Sequence, residues 1–186
     1  GEDHESWTKF LLSVGNGHGL SKNTNVGYIT LPESVHVSKT LDELIDFVFR
    51  DFNLSAKEAI LTPTNKLCAK INKICLEQFK PNAKKYVYLS EDVLKERVSE
   101  EDKSLTQEDL HKIETGGLPP HELELKVGVI VICLRNLNGR EGLLNGTRIK
   151  VTALYEHRIE GIILTQGPFQ GTIVYIPKIR LSTSDL

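Results

Sequence analysis

Apolar residues near the start of the chain recur at helical spacing. Trp7, Phe10, Leu11 and Val14 stand at i, i+3, i+4 and i+7, which predicts an amphipathic helix stopped at Gly15-Asn16-Gly17. The residues that follow are polar and rich in Gly and Asn, a loop, and "YITLP" then reads as a short strand ended by Pro32. "TLDELIDFVF" carries the strongest helical pattern: Thr40 can cap, Glu43 completes a capping box, and Leu41, Leu44, Ile45, Val48 and Phe49 line one face. "EAILTPTN" predicts a buried strand ending at Thr62-Pro63, because Pro63 pushes Thr62 out of helical geometry. Thr64 or Asn65 can then cap a helix with Leu67, Ile71, Ile74, Cys75 and Phe79 on its inner face. Residues 40–80 thus alternate helix, strand and helix, the order of an open α/β sheet.

The pattern changes beyond that point. "YVYLSEDV" reads as a strand running into a turn, and residues 91–115 are charged and weakly patterned, with a solvated helix near "TQEDLHKI". "GGLPPHE" is strong punctuation. From Leu123 onward the β-rich runs "LELKVGVIVICL", "TRIKVTAL", "IEGIILT" and "GTIVYIPKIRL" recur with turn residues between them, a spacing that suits a small barrel. The expected fold class is α/β plus β: a partial α/β lobe over residues 1–90, an acidic linker or helix over 91–122, and a small β-barrel over 123–186.

Charge sharpens this division. The chain of 186 residues has a net charge of −2, which does not advertise nucleic-acid binding. Yet residues 91–124 are net −7, residues 125–186 net +4 and residues 1–90 only +1, so an acidic segment hides a basic one. The apolar runs are far short of a membrane span, and the acidic start "GEDHESW" is not that of a signal peptide. Cys68, Cys75 and Cys133 lack CxxC spacing and the six histidines are scattered; buried, reduced thiols in an intracellular protein are expected, and no metal site. Cys68 and Cys75, seven apart, share a helix face and behave as small apolar residues.

Several chemistries are missing. The chain has no GxxxxGK[ST] phosphate loop, no GxGxxG, no HExxH and no GxSxG, so no catalytic residue is assigned. Three features remain, of which the acidic segment is read as a solvated linker or surface helix rather than a metal site. "LTPTN" lies at the carboxyl end of a predicted strand, where hydroxyls and helix-start N–H groups can hold a phosphate; Thr and Asn are equally ordinary helix caps. In "LRNLNGREGLLNGTRIKV", Leu134 to Val151, Asn138-Gly139 and Asn145-Gly146 read as turns inside a hairpin, but turn chemistry does not call for Arg135, Arg140 and Arg148. Those arginines are either solvated hairpin charges or phosphate contacts.

The order "FLLSVGNG", "LPESV", "LIDFVF", "AILTPTNKLCAKIN", "YLSED", "GLPPHELELKVGVIVICLRNLN", "GREGLLNGTRIKV" and "YIPKIRL" resembles one region of the PIF-type (petite integration frequency) DNA helicases of superfamily 1B, most closely those of eukaryotic genomes and Helitron transposons. The resemblance runs through nearly the whole chain and is most specific from "GLPPHE" to "TRIKV". It implies a fragment of an ATP-dependent motor that moves 5′ to 3′ on single-stranded DNA in repair, recombination or telomere maintenance, in the nucleus or a mitochondrion. Residues 1–90 would be the connection and first half of the second RecA-like lobe, and residues from 123 the small Src-homology-type barrel inserted in it.

The partners so implied are single-stranded DNA and the first RecA-like lobe of the parent chain, with no membrane. ATP and Mg would be cofactors of the parent; none is expected on this fragment, which is expected to be inactive alone. The contacts implied for DNA phosphates are Thr62, Thr64, Asn65 and Lys66 at one edge and Arg135, Asn136, Asn145 and Arg148 from the barrel. Many relatives carry an Arg at the "TPTN" motif where Asn65 and Lys66 stand here, so no ATP contact is assigned to it. Two rival readings are a stand-alone barrel that binds a protein segment, with Tyr155, Phe169 and Tyr175 as its aromatics, and an inactive transposon-derived remnant.

Overall fold

The protein is described by a computed structural model that covers residues 2–17, 29–50, 57–93, 106–111 and 118–181. It divides into two compact units, residues 1–44 and 45–186. In the first, α1 (Glu2–Gly15) has the predicted span, with Trp7 stacked on Phe10 at 5.4 Å between ring centroids. Its apolar stripe is only partly covered: Trp7 and Leu11 are exposed, while Phe10 and Val14 are half-buried.

α2 (Leu41–Val48) starts with the expected box in a shifted form. The Glu43 N–H donates to Thr40 Oγ1 at 3.2 Å, while the Glu43 carboxylate reaches back to the N–H of Lys39, at 2.7 Å, rather than that of Thr40. Ile45 on its apolar face is fully buried.

The segment 58–62, expected to be a buried strand, joins no strand ladder among the described residues, and Leu61 is 92% exposed. Ile29 in "YITLP" is a single bridge position rather than a strand. A strand exists only through a neighbour that takes its backbone groups, and the described residues place none beside 58–62. The expected α/β lobe is therefore not formed among them; every strand pair is antiparallel.

α3 (Asn65–Gln78) begins where Pro63 predicts, with Thr64 in extended geometry as N-cap. Its far end is the anchor of the second unit. Phe79 is buried with Leu125, Val129, Val151 and Leu154, flanked by Leu76 and Tyr86. Lys126 is only 2% exposed, and its ammonium donates to the carbonyl of Phe79 at 2.9 Å, with those of Lys80 and Glu77 at 3.4 and 3.5 Å. A cation there satisfies the orphan carbonyls of a helix end and sits in the favourable part of its dipole.

That anchorage explains why the single long run "LELKVGVIVICL" breaks in two. β1 (Tyr86–Leu89) pairs antiparallel with β2 (Glu122–Leu125), from Tyr86↔Leu125 to Leu89↔Glu122. The chain then turns through Lys126–Gly128 beneath the end of α3 and resumes as β3 (Ile130–Ile132). Gly128, at φ 100°, has the Phe79 ring 3.2 Å from where a Cβ would stand.

β3, β4 (Arg148–Leu154), β5 (Arg158–Ile163) and β6 (Ile173–Pro177) form an antiparallel meander in sequence order. The expected barrel is an open sheet among the described residues. β3 has three residues and β6 lies at the far edge of the sheet order, so neither edge meets the other.

β4 shows how one inserted residue places the core. Ile149 and Val151 alternate inward, but a bulge between Val151 and Ala153 shifts the phase, so Leu154 is the next buried residue. Ile149 packs with Cys133, Leu143, Ile163 and Val174; Val151 and Leu154 pack with Phe79. No helix among the described residues is long and apolar enough to cross a membrane.

Candidate nucleic-acid interface

The predicted hairpin is a ladder closed by a shaped loop. Ile130↔Lys150 and Ile132↔Arg148 set the register, and bonds from the Cys133 N–H to the Thr147 carbonyl and from the Gly146 N–H back to the Cys133 carbonyl continue it. Leu143 and Cys133 turn inward and peg the loop to the core. Between them Asn138 caps a single 3₁₀ turn (Gly139–Glu141), its side-chain carbonyl accepting from the Arg140 N–H at 3.1 Å.

The turn ends on Gly142 at φ 78°, where a Cβ would stand 2.6 Å from Phe169. Glycine is required there both by backbone conformation and by space. Thr147 is buried; its hydroxyl donates to the Gly142 carbonyl at 2.9 Å and accepts from the Leu144 N–H at 3.2 Å.

The residues proposed from sequence thus have distinct tasks. Asn136 Oδ1 accepts from the Asn145 N–H at 2.9 Å, so Asn136 staples the loop and Asn145 is held by its backbone, exposed to solvent. Arg135 and Arg148 are half-buried and already engaged within the protein, and the Arg148 N–H donates to Thr165 Oγ1 at 2.7 Å. Arg140, at the 3₁₀ turn, is exposed. Asn138-Gly139 proves to be a 3₁₀ cap, with the positive φ at Gly142 instead, whereas the turn expected at Asn145-Gly146 is present, with Gly146 at φ 87°.

The other set stands at the start of α3. Thr64 Oγ1 accepts from the Leu67 N–H at 3.3 Å, the capping role, and the Thr62 hydroxyl donates to the Thr64 carbonyl at 3.1 Å. Asn65 and Lys66 are exposed on the first turn. α3 is anchored to the sheet at its other end, and fourteen helical residues span about 21 Å. Nothing in the described structure brings Thr62–Lys66 together with the hairpin loop.

Cys133 is buried as expected, but Cys68 is exposed and Cys75 half-buried, so the face that these two share is only partly inside. Burial raises the pKa of both Cys75 and Cys133. Lys85 is also raised, chiefly by its bond to Glu124 and then by Glu77.

One constellation has no signature in the sequence. Asp92, just beyond β1, His121, just before β2, and His111 at the end of α4 (Gln107–His111) bring three ligand-type atoms within 4.8 Å of one another. Their separation along the chain hides them: no spacing rule joins residues 92, 111 and 121. The only local signal is the box that starts α4, where Thr106 and Asp109 cap each other.

Residues 108–154, about a quarter of the chain, match the family of the 2B domain of DNA helicase Pif1. The match runs from α4 through β2, β3 and the whole hairpin loop to the end of β4, and so includes Arg135, Asn136, Arg140, Asn145 and Arg148 but not Thr62–Lys66. No curated protein matches the chain. The family match supports reading the chain as part of a Pif1-like helicase, an enzyme of the hydrolase kind that acts on DNA.

Proposed function

We propose that this chain serves an ATP-dependent helicase that moves 5′ to 3′, and that its β3–β4 loop contacts the phosphates of single-stranded DNA. The observation that carries the reading is that the family match contains the loop and both of its flanking strands. The loop suits the task physically. Its backbone is fixed by Asn136, Asn138 and Thr147, so Arg140 and Asn145 are displayed from a rigid support, and ordering them on a ligand costs little.

Arg135 and Arg148 lend positive potential from the base of the loop. Asn65 and Lys66, exposed on the first turn of α3, form a second, separate set of contacts. ATP and Mg belong to the motor as a whole and to none of these residues; the chain by itself does not hydrolyse ATP. On the same reading the protein acts in the nucleus or a mitochondrion.

Phosphate contacts carry no sequence information, and the acidic segment 91–124 opposes a polyanion. Binding is therefore weak, indifferent to sequence and salt-sensitive. Fluorescence anisotropy with oligo-dT and with a mixed-sequence oligonucleotide, at low and moderate salt, tests this. Equal affinities that fall steeply with salt are expected; salt-independent binding, or none at low salt, would contradict it.

One observation favours a second reading. Tyr155 and Tyr175 are exposed, and the Arg158 guanidinium lies over both rings, 4.6 and 5.5 Å from their centroids. Phe169 takes no part, since it packs on Gly142. An exposed aromatic and arginine cluster suits a protein anchor as well as base stacking. Tyr175→Ala decides between them: a weaker complex with oligo-dT assigns the cluster to DNA, and an unchanged one to a protein partner.

A further inference from the structure

We propose that Asp92, His111 and His121 bind one divalent transition-metal ion, with zinc the natural occupant, and that the ion fastens α4 to the end of the β1–β2 pair. The proposal is independent of the helicase reading. The three residues come from three places in the chain, yet His121 Nδ1 lies 3.4 Å and His111 Nε2 3.8 Å from the same carboxylate oxygen, Asp92 Oδ2. The two imidazoles stack with centroids 3.5 Å apart and planes inclined by 14°.

The group is built from behind. The Ser90 N–H donates to the His121 carbonyl at 2.9 Å, carrying the β1–β2 ladder one step further. The Ser90 hydroxyl then lies 2.8 Å from both Asp92 Oδ2 and His121 Nδ1. Ser90 thus holds the Asp92 carboxylate and the His121 ring side by side, and its bond to Nδ1, the nitrogen that faces Asp92, opens when that nitrogen takes the ion.

Two imidazoles and a carboxylate are a borderline-to-hard donor set of the kind zinc takes, and soft metals are not favoured by it. The side chains are one quarter to just over one third exposed, which leaves room for a water as fourth ligand. Ring-nitrogen lone pairs lie in the ring plane, so near-parallel rings cannot both aim at one ion. Binding must swing them apart about their Cβ–Cγ bonds, a broad and inexpensive torsion. Zinc uptake and loss of the His111–His121 stack are therefore one event.

Zinc chloride is titrated into the 186-residue chain in a buffer without phosphate, with a competing chromophoric chelator, for the parent and for Asp92→Asn, His111→Ala and His157→Ala. His157 is an exposed histidine outside the cluster. One zinc per chain is expected. Losing even an outer partner costs about 10–100-fold in affinity, so Asp92→Asn and His111→Ala should each weaken binding at least about tenfold, while His157→Ala binds as the parent. Circular dichroism checks each fold, and near-isosteric Asp92→Asn decides if His111→Ala does not fold. Cobalt(II) in place of zinc should show weak ligand-field bands without thiolate charge transfer, which excludes Cys68 and Cys75. The absence of saturable uptake, equal affinity in Asp92→Asn, or a thiolate band would each overturn the proposal.

Discussion

The start of α3 and the β3–β4 loop are built from the same polar vocabulary of Thr, Asn and Lys or Arg, but on opposite foundations. At Thr62–Lys66 the hydroxyls close their own turn and the preceding Leu61 is open to solvent. In the loop, Leu143 and Cys133 reach the core, and the polar side chains of Asn136, Asn138 and Thr147 spend their bonds on backbone groups. The first is a helix cap whose hydroxyls are spent on its own turn. The second is a preformed surface. Similar composition therefore does not mean similar readiness to bind, because what matters is which polar groups the fold has already used.

Mutations that remove the foundation should break this contrast most clearly. Ile149 is fully buried under the loop, so Ile149→Ala should cost about 2–5 kcal/mol. Leu61→Ala, on a residue 92% exposed, should stay within about 0.5 kcal/mol. Chemical denaturation of both variants measures the difference, and equal losses would mean that 58–62 is packed in solution as firmly as the sheet. Lys126→Met tests the anchor of α3: it leaves the carbonyl of Phe79 buried without its donor, with an expected cost of about 1–3 kcal/mol. A fully stable Lys126→Met protein would show that α3 is held by packing alone.

Thr64→Ala is expected to lose about 1 kcal/mol, as for an ordinary N-cap, with affinity for oligo-dT unchanged once stability is allowed for. Weaker binding at unchanged stability would instead make Thr64 a phosphate ligand.

The smallest effect is with pH. Cys75, Cys133 and Lys85 all have pKa values raised in the fold, the thiols by burial and Lys85 by Glu124 and Glu77. The folded state then holds more protons than the unfolded one between the unfolded and folded values. Their contribution is complete below the unfolded pKa of each group and lost as pH rises through the folded one. Stability should decline in the alkaline range from about pH 8.5 upward, where free thiols begin to ionise. Cys133→Val should reduce that decline, and an identical pH profile for Cys133→Val would contradict the assignment.

What could be read from sequence was local. The helix over 41–48, the Thr64 cap and the strands over 148–154, 158–163 and 173–177 follow from periodicity and from neighbours within a turn. What could not be read depends on residues distant in the chain. The break after Leu125 exists because Lys126 serves a helix that ended near residue 78, and the Val151–Ala153 bulge because two core clusters share one strand. The segment 58–62, which has no strand partner among the described residues, shows the converse, since a strand-like sequence does not itself specify the partner. In the candidate site the basic loop was legible as composition, whereas the division of labour between Asn136 and Asn145, and the meeting of His111 with His121, were not.

On the proposed function, the β3–β4 loop, rather than the start of α3, is the principal phosphate-binding surface. Arg140→Ala and Lys66→Ala alter one exposed cation in each region and leave every described hydrogen bond in place. Anisotropy titrations on oligo-dT across a salt series give the slope of log affinity against log salt, which flattens by about 0.7 for each single-strand phosphate that the protein no longer neutralises. Arg140→Ala should lower affinity and flatten the slope by about that amount, and Lys66→Ala should change both less. A slope unchanged by Arg140→Ala, with Lys66→Ala flattening it, would contradict the assignment of the loop.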